Sequence, residues 1–382
     1  MKKTNELATG AVEAWKALGV AVGNLGNHEQ ALHAFRRAAD VGQPTAWLWT
    51  SQARALNKLN RWGEALRCAE AAVTLDASAL GAWGHLGIAA YSLENYERAL
   101  EAFRKLAEVG KPSTEMLVLQ AHVLRRLGRS KDGLSVIDAG LALAPESAIL
   151  WREKAWTAAE LEHFEEALDC IERARQLGAD ARAYHHDRGD LLLLCGRFLD
   201  ALSDLEEGLK VKPDGWDLQI DRLIALGCLG RQGPLMEALP AALAEVQIPP
   251  AAVLSTCDFM YDVALNCLRR GESRTGLGLF AVTLDMQSWH SAEGFRRQVG
   301  SFIRRVLDIK PELFQDFMRL FSQKVTNKDL LQLLDPFVKA NDFLQTKNLT
   351  ILERLFPEVR ELVLDIVRRV DPGLREQLKR LT

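Results

Sequence analysis

The sequence predicts an all-α protein: a solenoid of about six clear helical hairpins and one or two degenerate ones, followed by a helical carboxy-terminal domain. Three observations carry this. Ala31, Ala65, Ala99, Gly133, Ala167 and Ala201 place a small residue every 34 positions without insertion, and a fixed period of that size marks stacked supersecondary units. Apolar residues between them keep helical spacing. At 382 residues, with 48% hydrophobic and 26% charged, the chain has apolar surface enough for a core rather than for disorder. A solenoid spreads that core along one axis, since each unit touches only its neighbours.

Taken in order, residues 1–11 are expected as a frayed lead-in, and the first unit runs from Val12 to Thr45. Trp15, Leu18, Gly19 and Val22 line its first helix, Gly26-Asn27 makes the turn, and Ala31, Phe35 and Ala38 line the second. A small residue belongs where paired helices cross closest, with larger ones filling the space around it. The second unit, from Ala46, offers Trp49, Leu56, Trp62, Ala65 and Ala72; the third has Trp83, Leu86, Gly87, Tyr91, Tyr96, Ala99 and Phe103. The fourth puts Leu117 in place of the tryptophan and keeps Gly128 at its turn and Pro145 after its second helix, where proline ends a helix. Trp151, Phe164, Ala167, Ile171 and Ala174 make the fifth, and Gly189, Gly196, Phe198, Ala201 and Pro213 the sixth.

After Pro213 the register decays. A seventh unit from Trp216 reaches Gly230 and Gly233-Pro234, with Leu235 at the small position, and Gln247 to Pro250 reads as a linker because consecutive prolines force extended backbone. A degenerate eighth follows, Met260 to Leu268 and then Gly271, Gly276, Leu279 and Phe280. From Ser291 helical spacing continues without the period, in Phe295, Val299, Ile303 and Val306, then Leu313, Phe317 and Phe321, then Leu330, Leu334, Phe337 and Val338, with a last helix after Pro357. The expected organisation is a lead-in over 1–11, a solenoid over 12–246, a linker with a degenerate repeat over 247–290, and a capping or docking domain over 291–382.

The repeat signature resembles that of the tetratricopeptide repeat. Trp83, Leu86, Gly87, Ala99 and Phe103 match the family's signature positions, as do Trp15, Leu18, Gly19, Ala31, Phe35 and Ala38. The resemblance covers residues 12 to about 215 and implies a right-handed superhelix whose first helices line a concave groove for a protein or peptide partner. On that reading Lys16, Trp47, Arg54, Asn57, His85, Tyr91, His122, Arg125, Arg152, Trp156, His186 and Asp190 face the groove. Its basic and aromatic middle fits a partner of acidic or aromatic character, although Glu115, Glu153 and Glu160 dilute it. A subclass of the family clamps a terminal carboxylate; Lys16 fits that pattern, but Val20, Ser51, Gly81 and His85 stand at its other four positions, so it is set aside.

Other chemistries find little support. His185-His186-Asp187 invites a metal reading, and His186 and Asp190 share a helix face, but adjacent His185 and His186 cannot share a face and no third ligand is evident nearby, so no metal is expected, and no cofactor either. Gly276-Leu277-Gly278 lacks a further glycine and a preceding strand, no Gly-x-Ser-x-Gly elbow occurs, and the expectation is no enzyme. The six cysteines, Cys68, Cys170, Cys195, Cys228, Cys257 and Cys267, form no Cys-x-x-Cys pair and read as reduced, buried thiols. With no apolar run long enough for a bilayer and no signal-like segment, a cytoplasmic, membrane-free protein is expected. The leading function is a non-catalytic interaction scaffold. The alternatives are a regulatory subunit of a larger enzyme or defence complex docking through residues 291–382, and a nucleic-acid-associated adaptor using Arg296, Arg297, Arg304 and Arg305, which is less expected because acidic residues are interspersed.

Overall fold

The computed structural model describes residues 2–229, 234–246, 248–249, 252–285, 292–325, 335–347, 351, 355 and 357–374. Among them every regular element is helical. The expected positions Gly230, Gly233, Gln247, Pro250, Leu330 and Leu334, and the side chains of Leu235, Phe295, Arg296 and Arg297, lie outside the described residues. Two compact units divide the chain, Met1–Ala179 and Asp180–Thr382.

The first unit comprises α1 (Lys2–Asn24), α2 (His28–Val41), α3 (Ala46–Lys58), α4 (Trp62–Leu75), α5 (Leu80–Ser92), α6 (Tyr96–Val109), α7 (Thr114–Arg126), α8 (Ser130–Leu143), α9 (Ala148–Glu160) and α10 (Phe164–Gln176). Odd and even helices pair as hairpins, and each second helix through α8 packs on the next first helix. Helix α1 begins at Lys2, so the residues expected as a frayed lead-in are helical; nothing between Lys2 and Asn24 forbids extending the first helix backwards.

Three sequence devices build each hairpin. Ala31, Ala65, Ala99 and Ala167 are buried at the helix crossings. The turns pass through a left-handed residue at one repeat position, Gly26, Asn60, Glu94, Gly128 and Glu162, with φ between 58° and 81°. Asn27, Thr45, Asn95, Ser113 and Ser147 cap helix starts by accepting a backbone N–H. The signature tryptophans fasten the loop before their helix: Trp83 Nε1 donates to the Ala77 carbonyl at 2.9 Å and Trp151 Nε1 to that of Pro145 at 2.8 Å.

The second unit begins with α11 (Ala181–Leu194), α12 (Phe198–Val211), α13 (Trp216–Leu229) and α14 (Pro234–Glu245). Gln219, at the tryptophan position, makes the same fastening bond to the Pro213 carbonyl at 2.8 Å. The expected degenerate hairpin is α15 (Val253–Arg269) and α16 (Ser273–Asp285), turning at Gly271 with φ 86°. Arg270 pins it to the α11–α12 turn, donating from Nη1 to the Leu194 carbonyl at 2.8 Å and standing 5.8 Å over the Phe198 ring. Next come α17 (Ala292–Ile309), α18 (Phe314–Lys324), α19 (Asp335–Thr346) and α20 (Pro357–Val370). Helices α17 and α18 cover α15 and α16 through an aromatic cluster, with Tyr261 4.8 Å from Phe302, Phe280 stacked on Phe302 at 5.0 Å, and Phe317 edge-on to Phe280 at 4.9 Å.

Candidate functional site: the first-helix face

In the first unit the first helices adjoin one another, α3 with α5, α5 with α7 and α7 with α9. Lys16 pairs with Glu13 at 2.7 Å and stands 5.6 Å from the ring of Trp47, itself exposed and edge-on to Phe35. Asn57 is buried; its Nδ2 donates to the His85 carbonyl at 3.0 Å, while its Oδ1 and His85 Nδ1 have no hydrogen-bond partner. Burial, then the charges of Arg54 and Lys58, lower the His85 pKa to about 4, so its ring is neutral near pH 7. Arg54 and Lys58 line a cavity of about 190 Å³ with Asn24, His28 and Phe35.

Further along, His122 and Arg125 converge on Glu153, which is 5% exposed. His122 Nε2 lies 2.6 Å from Glu153 Oε2. Arg125 Nε is 3.4 Å from Oε1, close enough for an ion pair but without hydrogen-bond geometry, so both atoms keep unused capacity. A buried carboxylate requires hydrogen-bond donors or a cation beside it, and Arg125 is such a cation. Tyr91 stands 6.3 Å from the His122 ring. Arg152 is exposed and Trp156 half-buried one turn apart on α9.

The second unit holds a different chemistry. His186 Nε2 is 3.3 Å from Asp221 Oδ2, 3.8 Å from Asp190 Oδ2 and 4.0 Å from Asp217 Oδ2, and His186 Nδ1 is 3.9 Å from Asp187. Burial opposes protonation of His186, yet Asp190, Asp187 and Asp221 outweigh it and hold its pKa up to about 11. Burial and the Asp221 charge push the Asp190 carboxyl well above the usual carboxylate range. Arg182 binds Asp217 and holds its carboxyl low despite burial.

The structure thus brings together Lys16 with Trp47, Asn57 with His85, Tyr91 with His122 and Arg125, and His186 with Asp190. The absence of a third acidic or histidine ligand beside His186 and Asp190 is corrected here: Asp221 joins them, with donor atoms of the three within 4.8 Å. Sequence reasoning missed it because the seventh unit had lost its signature. The period still held the signal, since Glu153, Asp187 and Asp221 occupy one repeat position 34 residues apart.

Elsewhere, Arg305 pairs with Asp262 at 2.7 Å and Arg369 with Asp365 at 2.9 Å, which ties carboxy-terminal arginines to neighbouring acids. None of the six cysteines is in a disulfide, and burial raises Cys170 to about 11 and Cys257 and Cys267 to about 12, so these three remain protonated. Among the described residues no helix is long and apolar enough to cross a membrane.

Comparison with known proteins gives the same repeat. The tetratricopeptide-repeat profile matches residues 50–113, 118–182 and 152–215. FlbA of Caulobacter vibrioides is 27% identical over 193 residues, 50% of this chain and 32% of that protein. The small glutamine-rich tetratricopeptide repeat-containing protein 2 of Saccharomyces cerevisiae is 29% identical over 92 residues, 24% of this chain and 27% of that protein. The chain therefore spans a third or less of these curated relatives. Among solved structures, YrrB, a TPR protein with an unusual peptide-binding site, aligns with a TM-score of 0.40 at 20% identity over 48% of this chain and 95% of its own. PilF of Pseudomonas aeruginosa aligns with a TM-score of 0.46 at 16% identity over 56% and 96%.

Proposed function

The chain is a tetratricopeptide-repeat protein, a fold that serves as a protein–protein interaction scaffold, and from that premise we infer that it is a non-catalytic scaffold holding a peptide or partner-protein segment along its first helices. One observation carries this reading. In the first unit, among the described residues, the buried side-chain atoms without a hydrogen-bond partner are Asn57 Oδ1, His85 Nδ1, Arg125 Nε and Glu153 Oε1; all four lie on first helices, the last two facing each other at ion-pair distance. Leaving a buried polar atom unpaired costs about 1–3 kcal/mol, so a face that concentrates such atoms gains by receiving groups that pair with them. Half-buried Tyr91 and Trp156 and exposed Trp47 and Arg54 add the aromatic and guanidinium surface that binding hot spots use.

The test is selection of a random peptide display library on the full chain. Selected peptides are expected to lose about tenfold or more in affinity against Arg54→Glu, Tyr91→Ala or Trp156→Ala, and none against Arg104→Glu on the second helix α6. Absence of any selected peptide, or equal loss with the α6 control, overturns the reading.

A further inference from the structure

The second unit contains a cavity of about 240 Å³ lined by His186 and Asp190 of α11, Trp216, Asp217, Ile220 and Asp221 of α13, and Ser255, Thr256 and Phe259 of α15. We propose that this cavity is a pocket for a basic side chain, arginine or lysine, of the bound partner, with Asp190, Asp217 and Asp221 at the cationic end and Trp216, Ile220 and Phe259 along the alkyl stem. The assignment of the ligand to a partner rests on the scaffold reading above; the pocket's preference for a cation does not.

Charge is the first argument. The carboxyls of Asp190, Asp217 and Asp221 lie within 4.0 Å of His186, and Arg182 binds Asp217. Three carboxyls against the two cations His186 and Arg182 leave a deficit of positive charge in a place withdrawn from water, where an unbalanced carboxylate is costly. The second argument is an orphaned atom. The Asp190 side chain is only 9% exposed, lines the cavity, and its Oδ1 has no hydrogen-bond partner. Without a visiting cation the carboxyl is driven towards its protonated form, as its raised pKa records; a guanidinium or ammonium reaching Oδ1 stabilises the ionised form and pairs the atom.

Shape separates a side chain from a bare ion. The volume equals that of about eight liquid waters, more than a metal and its open coordination sites require, and its walls include an indole, a phenyl ring and an isoleucine. Rings beside carboxylates suit a cation that carries its own apolar stem, through cation–π contact and burial of methylenes.

The probes are N-acetyl-arginine amide and its neutral isostere N-acetyl-citrulline amide, titrated into the full chain labelled with 5-fluorotryptophan, with the Trp216 signal assigned from Trp216→Phe. The arginine probe is expected to shift the Trp216 resonance with at least about tenfold tighter binding than citrulline, and Asp190→Asn with Asp221→Asn to erase that difference. Should the double variant fail to fold, Ser255→Trp keeps every acid and blocks the cavity, and is expected to abolish the shift. Equal response to both probes, no response to either, or displacement of the arginine probe by micromolar Zn²⁺ or Mn²⁺ overturns the proposal. Arginine binding without any selected peptide would sink the scaffold reading alone, whereas selected peptides that bind equally after arginine-to-citrulline exchange would sink the pocket alone.

Discussion

His85 shows how one side chain converts burial into a pH response. Its folded pKa of about 4 lies below the ordinary 6.5 because burial and the charges of Arg54 and Lys58 disfavour the imidazolium. The unfolded chain therefore binds more protons between those values, and the neutral ring's contribution is present above pH 6.5 and lost as pH falls towards 4. Chemical denaturation of wild type and His85→Gln across pH 4 to 7 should show a shallower acid decline in the variant, with a differential of ~2 kcal/mol; parallel curves would contradict it. A second residue-scale effect lies in the turns. Glu94 and Glu162 hold φ of 58° and 63° where Gly26, Gly128 and Gly196 hold the same left-handed backbone. Glu94→Gly relieves the Cβ clash that costs about 1–2 kcal/mol in this region against a partly offsetting entropy loss. A rise of a few tenths to ~1 kcal/mol in unfolding free energy is expected by urea titration.

At the scale of the helix pair, the spacing between layers is set by contacts that differ among glycines. A methyl group on Gly87 would lie 2.5 Å from Phe103 Cε1, whereas one on Gly10 would meet nothing within 4 Å. Gly87→Ala should therefore destabilise by about 1–3 kcal/mol through overpacking of α5 against α6, and Gly10→Ala should stabilise by about 0.5–1 kcal/mol through helix propensity. Thermal midpoints moving in the same direction would refute the packing account. The crossings from Ala31 to Ala201 were legible in the sequence because close approach demands a small residue at a fixed spacing, whereas Gly87 and Phe103 stood there only as signature positions and their mutual contact is seen in the structure. The polar clusters were less legible. Glu153 stood among the expected groove positions as a dilution of positive charge, yet folding turns it into the group on which His122 and Arg125 converge. Side-chain convergence between adjacent helices depends on rotamers and burial, which the period does not encode. Asp221 was hidden for a further reason, since the signature residues that announce a unit are gone from the seventh while its polar position persists.

At the scale of the whole molecule, the repeat's growth along one axis creates an end that must be closed, and in the second unit the closing surface is aromatic. Tyr261 and Phe280 of the last hairpin are buried under Phe302 and Phe317, supplied by α17 and α18 after the 34-residue period has ended. Removing residues 291–382 therefore takes away Phe302 and Phe317 and uncovers the hydrophobic face that Tyr261 and Phe280 present to them. Each buried aromatic lost from such a cluster is worth about 3–5 kcal/mol. Since a domain's whole stability is about 5–15 kcal/mol, the shortened chain 1–290 should unfold its second unit or associate through the exposed rings. Enhanced dye binding to apolar surface and loss of protection from amide exchange over α15 and α16 are the expected readouts. The first unit, built from its own hairpins, should keep its exchange protection in the same sample, and uniform protection across both units would show that α17 and α18 do not close the core.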